Sequence, residues 1–168
     1  MSGHSKWSQI KHKKGISDQK KGQLFSKLSK AITLAARKGS DPNTNIALAS
    51  AIEQARALNM PNDNIGRAIK KVSEKSSAQL EEVAIDAIGP GGVALTITGV
   101  TDNKNRTISE VKKILSDHGA KMVPPGSIGW MFQNPVTVPE QAQQQLEVLF
   151  EALDNQDDVG DVVSNIRS

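Results

Sequence analysis

Apolar residues recur at helical spacing from residue 24: Leu24, Phe25, Leu28, Ala31, Ile32 and Ala35 fall along one stripe, and Gly39 stands where a helix would stop. Ser17 followed by Asp18 reads as the N-cap of this helix, with the acid at its positive end. Gly22 weakens the first turn, so the pattern also allows a later start. After a turn at Asp41-Pro42, Leu48, Ala51, Ile52 and Ala55 predict a second helix over Thr44 to Leu58. Pro61 opens a third, short helix carrying Ile65, Ala68, Ile69 and Val72. Residues 1–16 keep neither a helical nor a strand period and read as a basic, flexible arm ahead of a helical domain over 17–72.

The polar stretch 73–79, SEKSSAQ, reads as a linker, and beyond it the period changes. Glu82 to Ile88 and Val93 to Val100 are β-rich runs, and Gly89-Pro90-Gly91-Gly92 between them suits a hairpin connection. Thr107 with Glu110 forms a capping-box pattern that predicts a helix through Val111, Ile114 and Leu115 to Gly119. Lys121 to Val123 and Ile128 to Phe132 read as short strands around Pro124-Pro125-Gly126. A helix over Glu140 to Asp154 and a strand over Val159 to Ile166 follow, with Phe150 and Leu153 expected against the sheet. The order β-β-α-β-β-α-β over 80–168 predicts an α/β sandwich with a mainly antiparallel sheet. The chain as a whole is then of the α+β class, a three-helix unit followed by that sandwich. No internal repeat is present.

Composition narrows the chemistry. At 168 residues, 37% hydrophobic and 23% charged, the chain can bury a core, but with 3% aromatics that core must rest on Ile, Leu, Val and Ala. The absence of Cys excludes disulfides, thiol catalysis and cysteine-ligated zinc. No apolar run reaches the roughly 20 residues that span a bilayer. The Lys residues near the start are not followed by an apolar segment of the secretory kind, so no membrane partner and a cytoplasmic location are expected.

Charge is the strongest signal. Residues 1–75 hold 15 Lys/Arg against 5 Asp/Glu, whereas 76–168 hold 6 against 13. In the arm, His4, Lys6, Lys11, His12, Lys13 and Lys14 bracket Trp7. The cations suit phosphates, and the indole suits an unpaired base. On the first helix, Lys20, Lys27, Lys30, Arg37 and Lys38 fall within an arc of about 100°. Most charge runs are simply solvated faces. Ten basic residues against one acidic in the first 40 exceed what such a face needs, which favours a polyanion partner. The loop Thr101-Asp102-Asn103-Lys104-Asn105-Arg106 is a second candidate, since Asn103, Lys104, Asn105 and Arg106 sit where a helix N-terminus favours anions. The same loop also reads as a polar turn whose Asn and Asp satisfy their own backbone.

Other features point away from catalysis. The glycines at 89–92 lack the phosphate-loop pattern, and a strand follows them. His118 ends a helix, where a cation suits the dipole. Asp154, Asp157, Asp158 and Asp161 lack the calcium-loop spacing. With no nucleophile–base order and no metal spacing, the chain is expected to be no enzyme and to use no cofactor or metal.

A set of words along the chain is distinctive: GHSKW at 3–7, IKHKK at 10–14, DPNTN at 41–45, NMPNDNI at 59–65, RAIKK at 67–71, GPGG at 89–92, TDNKNRT at 101–107 and GSIGWMF at 126–132. In these the chain resembles the YebC/PmpR family, which includes the mitochondrial translational activator of cytochrome c oxidase. The resemblance implies a DNA-binding transcriptional regulator. Its alternative is a translation factor that meets ribosomal RNA on the ribosome. A third reading is a protein-interaction adaptor whose acidic half docks a basic partner. No helix-turn-helix signature, RNP motif or zinc finger separates DNA from RNA, and the oligomeric state is left open. The resemblance also implies that the further α/β domain that family members usually insert is absent near 133–135. There Val136-Thr137-Val138-Pro139 leads directly into a stretch like the family's closing helix and strand.

Overall fold

The computed structural model describes residues 18–167. The arm, with His4, Lys6, Trp7, Lys11, His12, Lys13 and Lys14, and the Ser17 cap lie outside the described residues. The first helix, α1, spans Asp18–Ala35 and tightens into a 3-10 turn over Ala36–Lys38. Gly39 ends it at φ 143°, a value that only glycine takes without strain.

Helix α2 covers Ile46–Ala57. Its cap is Asn45, one residue beyond the expected start. The Asn45 carbonyl oxygen accepts from Leu48 N at 3.1 Å, while its amide donates to Ala35 O and Gly39 O, both at 2.8 Å. One buried side chain therefore begins α2 and fastens it to the end of α1. Asn59 takes a left-handed φ of 64° after α2, and Met60 N reaches back to Ala55 O at 3.0 Å. This closing turn buries Met60 and delivers Pro61 as the cap of α3, Asn62–Lys70. Ile32, Leu48, Ile52, Ala55, Met60, Ile65 and Ala68 form the core of this unit.

Residues 73–79, expected as a linker, belong mostly to two 3-10 turns, Lys71–Ser73 and Lys75–Gln79. Ser77 is buried there, its hydroxyl donating to Val72 O at 2.9 Å and Glu74 O at 2.8 Å. Arg37 reaches across to Ser77 O.

Strands β1 (Glu81–Gly89) and β2 (Val93–Thr101) pair antiparallel from Glu81↔Thr101 to Gly89↔Val93. Helix α4 (Lys104–Asp117), strand β3 (Lys121–Val123), helix α5 (Glu140–Asp154) and strand β4 (Val159–Ser164) follow. The sheet order is β3-β1-β2-β4, with each pair antiparallel. Val83, Ile85, Ala87, Val93, Leu95 and Ile97 turn one face toward α4 and α5, which add Val111, Leu115, Leu146, Leu149, Phe150 and Leu153. The mixed helix and antiparallel-sheet class expected from the periods is the one observed.

Two local expectations are corrected. Ile128 to Phe132 is not a strand: Gly129–Gln133 is a 3-10 turn, with Met131 N donating to Ile128 O at 2.9 Å. Pro124 and Pro125 supply no ladder donor, and Gly126 turns at φ 83°, so the sheet stops at Val123. Nor does Thr107 cap α4. Asn103 does, accepting from Arg106 N at 3.1 Å, and Thr107 lies buried one turn into the helix. Residues 134–136 close onto the end of β4 through the Val136↔Ile166 bridge and Val136 N→Asn165 O at 2.8 Å. Among the described residues, no helix is long and apolar enough to cross a membrane.

Because Phe150 is buried where α5 meets the sheet, Phe150→Ala is expected to cost about 3–5 kcal/mol in denaturant unfolding. A change near zero would detach α5 from the core.

Candidate nucleic-acid interface

The basic residues predicted on α1 divide into two groups. Lys20, Lys27 and Lys30 reach α5's last turn and the residues that follow it, Lys20 from an exposed position. Lys20 pairs with Glu151 at 3.7 Å, and Lys27 donates to Asp154 O. Lys30 donates to Asp157 O at 3.2 Å and to Asp158 Oδ1 at 2.8 Å. Gln23 shares this stripe, bonding Asn155 O at 2.7 Å and Asp157 Oδ1 at 3.1 Å. The reason lies in α5, whose last turn holds no basic residue and whose carbonyls carry the negative end of the helix dipole. Arg37, by contrast, reaches Ser77 O in the crossover between the two units, the 3-10 turns over 71–79, and Lys38 beside it is exposed.

The loop at 101–106 divides in the same way. Asn103 serves its own helix as a cap, while Lys104 and Asn105 are exposed. Arg106 turns back, its Nη2 donating to Asp102 Oδ1 at 2.9 Å and Asp158 Oδ2 at 3.1 Å.

Asp158 is where the two groups meet. Its side chain is 2% exposed, against 24% for Lys30 and 44% for Arg106. Thr107 Oγ1 also donates to Oδ2 at 2.8 Å, and Gln156 Nε2 does so at 3.3 Å. Gln156 Oε1 in turn accepts from the backbone of Asp158 at 2.7 Å and Val159 at 2.9 Å. Burial pushes the Asp158 carboxyl up, but hydrogen bonds from Lys30, Thr107 and Arg106 outweigh it and hold the group well below the usual carboxylate range. The backbone is equally confined. A Cβ at Gly99 would lie 2.0 Å from Asp158 O, so the irregularity between Thr98 and Gly99, where β2 meets β4, requires glycine.

These residues wall a cleft of about 920 Å³ between α1, the crossover and the start of α4. Lys30, Lys71 and Arg106 line it with Asp102, Glu110, Asp157 and Asp158, and with the hydroxyls of Ser26, Ser29, Thr33, Ser76 and Ser77. Lys71 and the neighbouring Lys70 and Lys75 were not singled out from sequence, although RAIKK places two of them at a helix end. Lys38, Lys70, Lys71, Lys75 and Lys104 are exposed and make no ion pair among the described residues. No group of three or more His, Asp or Glu able to hold a metal occurs among the described residues.

The Asp158 contacts fix a pH dependence. A folded-state pKa below the unfolded value means that the stabilisation is complete above about pH 4 and is lost as the pH falls further. Asp158→Asn is expected to cost about 1–3 kcal/mol at neutral pH, because the buried donors of Thr107 and Gln156 lose a charged acceptor while Lys30 and Arg106 keep access to water. Unfolding from pH 6 down to pH 2 should show a steeper acid loss in the parent chain than in the variant. Parallel curves would remove Asp158 as their cause.

Comparison with known proteins agrees with this architecture. The profile of the TACO1/YebC protein N-terminal domain matches residues 5–75, and that of the TACO1/YebC second and third domain matches 80–135. A "Probable transcriptional regulatory protein" of Petrotoga mobilis is 46% identical over 153 residues, covering 89% of this chain and 61% of its own. One of Pseudothermotoga lettingae is 44% identical over 170 residues, covering 94% and 67%. The chain thus spans about two thirds or less of the length of these relatives. A crystal structure of a conserved hypothetical protein from Aquifex aeolicus superposes with a TM-score of 0.76 at 28% identity, covering 89% of this chain and 91% of the other. With both profiles in register on its two units, the chain belongs to the YebC family.

Proposed function

We propose that the chain is a non-enzymatic, nucleic-acid-binding regulator of the YebC type, acting in transcription as the names of its relatives suggest. The observation that carries this reading is the charge distribution: 15 Lys/Arg against 5 Asp/Glu over 1–75, with Lys38, Lys70, Lys71, Lys75 and Lys104 exposed. Lys6, Lys11, Lys13 and Lys14 of the arm would neutralise phosphates, and Trp7 would stack on an unpaired base.

A second reading, ribosomal RNA as the polyanion, draws on the single aromatic within the basic arm. Unstacked bases in irregular RNA accept such a partner more readily than a duplex does. Sedimentation of lysate with and without nuclease separates the two readings: migration with ribosomes favours translation, and light fractions with a mapped DNA footprint favour transcription.

Deleting residues 1–14 is expected to flatten the log–log salt dependence of binding by roughly 3–4 units. Trp7→Ala should weaken a single-stranded ligand by about 1–3 kcal/mol and a duplex much less. An arm deletion that leaves affinity and salt slope unchanged would overturn the proposal.

A further inference from the structure

The two cores share no residue: one is built on Ile32, Leu48, Ile52 and Ile65, the other on Leu95, Leu115, Leu149 and Leu153. Where they meet, α1 offers a polar stripe, Lys20, Gln23, Lys27 and Lys30, and each of the four is bonded to residues 151–158. To one side of the stripe lies the cleft of about 920 Å³. To the other lies a groove of about 690 Å³, where Leu24, Leu28 and Leu58 face Ala84 and Val100. Helix α1 therefore lies close over β2 and meets the sheet unit along this polar stripe, with a cleft on either side. Junctions held by polar contacts between separately closed cores permit relative movement.

What α1 grips resembles a stretch of nucleic-acid backbone in its chemistry. Within eight residues it meets the carboxylates of Glu151, Asp157 and Asp158 and the carbonyls of Asp154, Asn155 and Asp157. Lys27 is buried against this segment and Lys30 is half-buried against it, so a phosphate that reaches either ammonium closely must displace the carbonyl or carboxylate now beside it.

We infer that residues 151–158 act as an internal competitor for the polyanion-binding face of α1. A polyanion that takes Lys27 and Lys30 then releases the helical unit from the sheet, with the crossover at 71–80 as the turning point. The inference rests on the nucleic-acid reading above in that an oligonucleotide is its natural competitor, and it makes the described arrangement the closed one.

The chain has no cysteine, so Ser50→Cys on α2 and Gln144→Cys on α5 give a unique pair of spin-label positions in the full-length protein. Distances are measured by pulsed electron resonance with a mixed-sequence single-stranded 20-mer and, separately, with inorganic polyphosphate, while anisotropy follows binding of the 20-mer. Saturating 20-mer should add a longer-distance population. Asp158→Asn should bind it up to about tenfold more tightly if the closed form dominates by about that factor. Should that variant fail to fold, Glu151→Gln tests the same competition at the exposed end of the stripe, and the parent distances stand alone. A 20-mer that binds without moving the distance would overturn the inference and leave the proposed function standing. Polyphosphate that opens the pair while no oligonucleotide binds would do the reverse. Neither ligand moving the pair would overturn the inference.

Discussion

The fold turns on one buried carboxylate. An isolated charge removed from water would neutralise itself or destabilise the chain by many kcal/mol, so Asp158 requires its partners in place. Those partners come from α1 (Lys30), from the start of α4 (Arg106 and Thr107) and from the turn before β4 (Gln156). Their positions are fixed relative to the sheet because Asp158 O lies against Gly99 and accepts from Val100 N at 3.3 Å. Asp158 thereby ties the helical unit, the sheet and the start of α4 together at one point.

This constraint changes the meaning of the charge asymmetry. Read along the chain, a basic half and an acidic half suggest two surfaces for two partners. In space, part of each neutralises the other along the stripe of α1. Basic side chains that stay exposed include Lys38 at the end of α1, Lys70, Lys71 and Lys75 around the 3-10 turns, and Lys104 at the tip of the 101–106 loop. Arg37 and Lys38 stay exposed at the end of α1, Arg37 with a hydrogen bond to Ser77 O. Lys20, Lys27 and Lys30 are spoken for within the chain itself.

Elements with a sustained period were legible. Helix α5 runs over Glu140–Asp154 as its apolar spacing predicts, and the hairpin of β1 and β2 closes at the expected glycines. The misread elements are those in which neighbouring residues compete. Asn103 and Thr107 both suit an N-cap, and Asn103 takes the position because Thr107 finds Thr101, Asn103 O and Asp158 instead. Ile128 to Phe132 has strand-like residues, but the prolines and Gly126 before it had already turned the backbone out of the sheet. The candidate site was less legible for a different reason: Lys30 and Asp158 are 128 residues apart, and no local spacing records such a pair.

The profile match ends at residue 135, yet the seam depends on residues beyond it. Segment 136–167 supplies Leu146, Leu149, Phe150 and Leu153 to the core, an edge strand to the sheet, and Asp158 to the junction. It is anchored where it begins, since Val136 pairs with Ile166 and accepts from Arg167 N at 2.7 Å. A chain spanning 61% of a longer relative can therefore close its sheet and neutralise the stripe on α1 from its own residues. What joins these units is a seam of ion pairs and hydrogen bonds from α1 to residues 151–158, polar where each unit's own core is apolar.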